Sequence, residues 1–523
     1  MRRLGNKPLI AYPIEKALKL KDILYNHHFD IVVSSDDEYI EEYVSLYPDV
    51  EFIKREEKFS KDETPLDPVV YDAFLRSSTP YDYDFVVTLV PTMPLLSVDT
   101  MIKAIKKYLS QKRYKSLILV KDATHIYWQN DKLLTKRKNR QFLDPVYEEC
   151  GGIIITPARV LKTHKQILTK KPCLFVCPPD ESVDINSWFD FVLAEKLLNR
   201  KRIGFKVGGS HKAGLGHVYR CINLALRFIE HEIYFFIDER DKEAIDAVNS
   251  FFFKVIEYYN NDNLLCQVCK HNVDIIINDT LGVDINFARS VNQYLIPIIG
   301  FDEPNKDYCA LTINPQLEFT DISEENLYGY KYSVIREDVL MFPIKKYPDK
   351  IENILVTMGG SDPEGATLTV MNFLKTEENV TVIVGKYFSD RLKKQINKLS
   401  YEHSNFKLVT DVKFMGSYLF NADIVITSNS STVYDCVCLG TFIIAVDKVK
   451  DEMIHLFSRL SRATMYLGYH ETISKKSFKK ALSWLSYDVP TKLEYYDSLV
   501  KYANEIRDGQ QIVKEKINEV INR

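Results

Sequence analysis

The sequence predicts an α/β fold, one α/β domain followed by a pair of Rossmann-like domains. Three observations carry that expectation. Short apolar runs of strand length alternate with amphipathic helical stretches along nearly the whole chain. The alternation restarts twice, after the basic run Asn199-Arg200-Lys201-Arg202 and after the linker-like Tyr347-Pro348-Asp349-Lys350. The length, 523 residues, at roughly 150 residues per domain calls for three or four domains.

In chain order, the first 200 residues offer strands at Asp30–Ser34, Phe85–Val90, Ser116–Val120 and Gly152–Thr156. Between them, Pro13–Leu24, Glu38–Leu46 and Thr100–Leu109 have helical periodicity, and Phe189–Asn199 reads as a closing helix. A second series begins with strand Ile203–Val207, a glycine-rich turn and a helix, then Ile233–Ile237 and Val273–Ile277. A third begins at Asn353–Met358, ending in Gly359-Gly360, and continues through Val380–Val384 and Ala422–Thr427. The last stretch, about Lys492–Asn522, is charged and helical. The expected domains are therefore 1–200, 203–345 and 350–523.

Composition narrows the function. Lys+Arg 69 against Asp+Glu 72 leaves a net charge of −3, which gives no support to a nucleic-acid binder or an acidic disordered tail. Hydrophobic content of 46% with 27% charged residues is ordinary for a globular chain. No apolar run approaches the ~18–20 residues of a membrane helix, and Pro8, Pro13 and Glu15 interrupt any secretory core, so a soluble, cytoplasmic protein is expected. The nine cysteines include a single CxxC, Cys266–Cys269, which reads as reduced thiols rather than a zinc site.

Within the first 200 residues, Gly5-Asn6-Lys7-Pro8-Leu9-Ile10 precedes a helix. Val32-Val33-Ser34-Ser35-Asp36-Asp37 is a strand running into an acidic helix start, where Asp36 and Asp37 read as helix caps. Leu89-Val90-Pro91-Thr92-Met93-Pro94-Leu95 is a strand entering a double-proline turn, and Val183-Asp184-Ile185-Asn186 is a further short run.

Together these segments resemble the acylneuraminate (CMP-sialic acid synthetase-like) cytidylyltransferases over nearly all of residues 1–200. The resemblance implies a nucleotidyltransferase-type domain that takes CTP and a nonulosonic acid with Mg²⁺, and a homo-oligomer. It also implies metal ligands at Asp184 and Asn186; residues i and i+2 of a strand share a face, so both would reach one ion. The family has two aspartates there, so the asparagine lowers the expected affinity. Other departures go further. The family's opening glycine- and basic-rich triphosphate loop has no counterpart, its Gln-Pro-Thr-Ser-Pro-Leu-Arg turn reads Val90 to Leu96 here, and Cys150 replaces an asparagine. A start codon upstream would restore the loop but not the other residues. The expectation is a domain of the same fold turned toward binding or scaffolding, with active cytidylyl transfer as the alternative.

The strongest local signal lies after strand Ile203–Val207, in Gly208-Gly209-Ser210-His211-Lys212-Ala213-Gly214-Leu215-Gly216-His217-Val218-Tyr219-Arg220. Glycines there permit close approach of a ligand, the helix start can hold an anion, and an imidazole can act as a base near neutral pH. Downstream come Asp279, Phe301-Asp302-Glu303, Met358-Gly359-Gly360-Ser361-Asp362, Val384-Gly385-Lys386 and Asn429-Ser430-Ser431-Thr432-Val433-Tyr434-Asp435. A helix starting at Ser430–Thr432 would offer free N–H groups to phosphate.

This series resembles the UDP-sugar hydrolase of pseudaminic acid biosynthesis over about residues 203–500. The resemblance implies a GT-B fold and release of UDP from a 2,4-diacetamido-2,4,6-trideoxy hexose by water. It makes His217 the catalytic base; Gly214 and Gly216 would let the sugar nucleotide approach closely, and Arg220, one turn on, reads equally as a substrate contact or as the partner of a carboxylate. Gly359, Gly360, Ser361, Ser430, Ser431 and Thr432 would hold the diphosphate, and Asp435 the ribose. Asn429 and Ser430 replace glycines of the family, Asp435 replaces a glutamate, and the family's Asn-Gln pair has no counterpart near Lys448–His455. His211 reads as substrate-adjacent, Asp302 and Glu303 as further candidates at a strand end, and the aromatic clusters 234–236 and 251–253 as core. The two resemblances point to one pathway, nonulosonic acid biosynthesis. A GT-B glycosyltransferase and a non-catalytic nucleotide-sugar-binding protein are the alternative readings.

Overall fold

The computed structural model describes all residues except 1, 62, 78–82, 112–114, 209–214, 281, 304–305, 317–324, 349 and 488. The chain divides into two compact units, Met1–Arg200 and Lys201–Arg523.

The first unit is built on a four-stranded mixed sheet ordered Cys173–Val176, Leu117–Asp122, Tyr147–Pro157, Phe85–Leu89. The first pair is parallel, and Tyr147–Pro157 runs antiparallel to both its neighbours. Period-two alternation sorts its apolar side chains into two cores. Leu117, Leu119, Ile153 and Ile155 pack with helix Val98–Leu109, whereas Ile118, Val120 and Ile154 pack with helices Leu66–Arg76 and Ala158–His164. Strands Ile31–Ser35 and Val50–Lys54 form a separate parallel pair. At the start of the next helix, Asp37 accepts from the N–H groups of Tyr39 and Ile40, so it is a helix cap. The run holding Asp184 and Asn186 is a loop rather than the expected strand. It turns on the Asn186 N–H to Asp184 C=O bond and leads into helix Trp188–Leu198, closed by a Ser187/Asp190 capping box.

The second unit holds two all-parallel sheets. The first has the order Lys254–Tyr258, Glu232–Asp238, Arg202–Val207, Ile275–Asp279, Ile298–Phe301, Leu311–Asn314, Asn326–Tyr328, that is 3-2-1-4-5-6-7 along the chain. The second runs Phe406–Val409, Val380–Ile383, Ile354–Thr357, Ile424–Ser428, Phe442–Asp447, Met465–Tyr469, again 3-2-1-4-5-6. Both are the doubly wound order, in which the crevice outside the carboxyl ends of strands 1 and 4 is the place for a ligand. Alternation is again visible: Phe205, Phe235 and Ile277 lie in one core, Tyr234, Phe236 and Ile276 in the other.

The halves are interlaced. Ile335 and Val339 pack into the second sheet's core, while the long helix Val489–Ile521 contributes Leu499 and Ile506 to that core and Val513, Ile517 and Val520 to the first. Tyr387, just past the second strand of the second sheet, packs against the core of the first. Two Rossmann-type sheets tied in this way constitute a GT-B-like arrangement.

Candidate functional site

In the first sheet's crevice, helix Gly216–Ala225 begins with the glycine, and nothing lies within 4 Å of where its Cβ would be. Gly214 and His211 lie outside the described residues. His217 follows, its side chain 20% exposed, with Nδ1 2.7 Å from Asp279 Oδ1. The Arg220 guanidinium is also 3.1 Å from Nδ1, but it can only donate. An ionised carboxylate can only accept, and a bare Nδ1 lone pair 2.7 Å from it would be repelled, so Nδ1 is assigned the proton and the lone pair of the neutral ring is at Nε2.

Asp279 ends strand 4 fully buried. Burial disfavours its charge, yet the Arg220 guanidinium and the hydrogen bonds from Arg220 and His217 outweigh that and hold the carboxyl well below the usual range. Arg220 donates through Nε to Asp279 Oδ2 at 2.7 Å and through NH2 to Asp302 Oδ2 at 2.6 Å, with its guanidinium carbon 5.0 Å from the Phe301 ring centroid. Of the two readings of Arg220, substrate contact or carboxylate pairing, the geometry displays the pairing, with the guanidinium on two carboxylates. Asp302 sits at the end of strand 5 in the left-handed region, φ +49°, and its Oδ1 is buried without a partner. Glu303 is buried and accepts from the Val283 N–H at 2.6 Å. His217, Asp279 and Asp302 lie close enough to hold a cation, but Arg220 already occupies that role.

In the second sheet's crevice, Gly359 turns at φ +82° and Gly360 follows. Gly385 must be glycine, because a Cβ there would lie 2.5 Å from the carbonyl oxygens of both Gly359 and Gly360. Ser361 is buried, and Asp362 accepts from the N–H groups of Ala366 and Thr367 at 2.9 and 2.8 Å, capping the next helix. Opposite, helix Ser431–Leu439 starts from Ser430 with no side-chain cap. The Ser430 hydroxyl lies 2.8 Å from that of Ser428; Ser431 is exposed and Thr432 buried. Asn429, a glycine in the resembled family, has a structural task, since its Nδ2 donates to Asp447 Oδ1 and to the carbonyls of Glu452 and His455.

Asp435, expected at the ribose, is buried, and its oxygens accept from the Arg336 N–H and Nε at 3.3 and 2.9 Å. Burial raises its carboxyl to about 6 despite that pairing. The reason is positional: every residue of the helix from Thr432 to Leu439 is buried.

The crevice also holds residues the sequence reading passed over. Lys448, after strand 5, donates from Nζ to Met358 O at 3.1 Å and lies 3.6 Å from Glu452 Oε1. Burial raises the Glu452 carboxyl to about 7, only partly offset by Lys448. A lysine directly after a buried apolar strand was the available signal.

In the first unit, the Asn186 side-chain N–H donates to Asp184 Oδ2 at 2.9 Å, while Asp184 Oδ1 is buried without a partner. Met93 and Leu96 of the double-proline turn are buried in the same apolar core as Cys150 and Cys177. Lys16 donates to Pro94 O and is pushed down to about 8 by burial and by nearby Lys7, whose Nζ lies 4.5 Å from the Tyr12 ring centroid. Lys7 lies in the Gly5–Ile10 segment already singled out, whereas Lys16 had no sequence signature. Among the described residues no helix is long and apolar enough to cross a membrane.

Residues 1–145 match the family described as Cytidylyltransferase. An uncharacterised protein of Methanocaldococcus jannaschii, MJ1062, is 28% identical over 265 residues, 46% of this chain and 54% of that protein, so the chain spans about half its length. CMP-N,N'-diacetyllegionaminic acid synthase of Campylobacter jejuni is 27% identical over 217 residues, 39% of this chain and 90% of that protein. Spore coat polysaccharide biosynthesis protein SpsG of Bacillus subtilis is 20% identical over 348 residues, 60% of this chain and 96% of that protein. The chain thus carries a cytidylyltransferase-family domain in its first unit and, in its second, a GT-B-like pair of Rossmann-type domains.

Proposed function

We propose that the second unit hydrolyses a nucleotide sugar of nonulosonic acid biosynthesis, a UDP-2,4-diacetamido-2,4,6-trideoxy-hexose, releasing UDP and the free sugar. The observation that carries this reading is the His217–Asp279 bond at the first sheet's switch point, which leaves Nε2 as the base. Water gives its proton to Nε2 while its oxygen bonds to the anomeric carbon. The bond from that carbon to the β-phosphate oxygen breaks, and its electron pair leaves with UDP. Asp279 stabilises the imidazolium that forms. The formal charge of one guanidinium and two carboxylates, −1, is then balanced by His217. Gly359–Ser361 and the helix start at Ser430–Thr432 take the diphosphate's developing charge through backbone N–H groups and hydroxyls. No metal enters this step.

The first unit would serve the same pathway with CTP as its nucleotide; the C. jejuni relative is named for synthesis of a CMP-linked sugar of this class. A Mg²⁺ ion at Asp184 and Asn186 does not fit this geometry. The Asn186 amide turns its N–H onto Asp184 Oδ2, so its own oxygen faces away and the two side chains do not present their oxygens to one ion.

The test is UDP release from UDP-2,4-diacetamido-2,4,6-trideoxy-altrose by the full chain, with His217→Ala alongside. Turnover that collapses in the variant is expected. Sugar transfer to an acceptor in place of free sugar would make the unit a glycosyltransferase. UDP binding without turnover would make it a binding protein.

A further inference from the structure

We propose that Lys448 holds the diphosphate of the nucleotide ligand at the mouth of the second sheet. The inference deepens, and rests on, the reading of that mouth as a nucleotide site. Lys448 follows strand Phe442–Asp447, the fifth of its sheet, yet its side chain reaches back past strand 4 to the end of strand 1, where Nζ donates to Met358 O at 3.1 Å. A Cβ built on Gly359 would stand 3.6 Å from that nitrogen. The ammonium therefore overlies the glycine turn that forms one wall of the crevice. The other wall is tied to the same lysine-bearing turn. Asn429, two residues before helix Ser431–Leu439, donates to the carbonyls of Glu452 and His455 at 3.1 and 3.2 Å.

The charge at this point is available to a ligand. The side chain is 16% exposed, and its carboxylate neighbour, Glu452 Oε1, stands 3.6 Å away, beyond hydrogen-bond reach. Burial also favours the neutral form of Glu452, which leaves the lysine charge less than fully balanced near neutral pH. Beneath the two loops, Thr357 and Thr427 are register partners whose buried hydroxyls have no partner. A cation there favours a diphosphate over an uncharged nucleoside, and stabilises the leaving phosphate without a proton or metal.

The experiment is calorimetry on the full chain with UDP, CDP, GDP, ADP and dTDP, each paired with its nucleoside, for wild type, Lys448→Met and Lys448→Arg. Lys448→Met should weaken the tightest diphosphate by about 10–100-fold, the scale of one charged hydrogen bond, while the nucleoside binds as before. Lys448→Arg should stay within a few-fold of wild type, which separates lost charge from lost folding. Equal loss of diphosphate and nucleoside in Lys448→Met, no loss at all, or a wild type that binds none of the five at millimolar concentration would overturn the assignment. The hydrolase reading fails separately. Lysine-dependent UDP binding with no UDP released from a UDP-sugar would remove the hydrolysis and leave Lys448 in place.

Discussion

His217 Nδ1 and Asp279 Oδ1 stand 2.7 Å apart, joining the helix that follows strand 1 to the end of strand 4, 62 residues later. The bond fixes both ring orientation and tautomer. Asp279→Asn keeps the shape but can offer an N–H to Nδ1, which moves the ring proton to Nε2 and removes the base. The expected result is a loss of about 10²–10⁴-fold in kcat with UDP affinity unchanged, measured by UDP release and calorimetry.

Arg220 is the only described cation bonded to Asp279 and Asp302 together. Arg220→Met leaves two carboxylates in a buried setting without their counter-charge and should destabilise the second unit by about 3–5 kcal/mol in denaturant unfolding. Lysine should recover only part of this, because a point charge cannot reproduce the guanidinium's contacts to both.

The strands read from the sequence were legible because apolar residues alternate or run continuously in them, whereas shorter or more polar strands such as Val50–Lys54, Lys254–Tyr258 and Asn326–Tyr328 were not placed. His217 was legible because the glycine turn and helix start are contiguous in sequence. Its pairing with Asp279 and Asp302 was not, although both stood out at strand ends. Asp279 and Asp302 join it only through the strand order 1-4-5, which no local pattern encodes. The setting of Asp435 was hidden for a similar reason, since spacing places a carboxylate one turn into a helix but does not show that the sheet buries that helix or that Arg336 pairs with it. Asp184 and Asn186 misled through their strand-like spacing, which the loop does not adopt.

Gly385 is a packing requirement at the Gly359–Gly360 turn. Gly385→Ala drives a Cβ to 2.5 Å from two carbonyl oxygens and from Phe388 Cε1. It should cost about 1–3 kcal/mol of stability by displacing the Gly359–Gly360 turn. Nucleoside diphosphate binding should weaken in the same variant, read by thermal melting with and without UDP.

Glu452 gives a pH dependence with a definite sign. Its folded carboxyl, near 7, lies above the ordinary value of 4.5, so its contribution is fully present below the unfolded value and lost as pH rises through about 7. Glu452→Gln should therefore melt like wild type near pH 4.5 and above it near pH 8. Parallel melting curves at both pH values would contradict the assignment.

In the proposed reaction, water deprotonated by His217 attacks the anomeric carbon. Hydrolysis of the UDP-sugar in ¹⁸O-labelled water, with products read by mass spectrometry at early times, tests it most directly. The prediction is unlabelled UDP, label in the free sugar, and neither product from His217→Ala. Label in the UDP phosphate, or turnover that survives in His217→Ala, would contradict it.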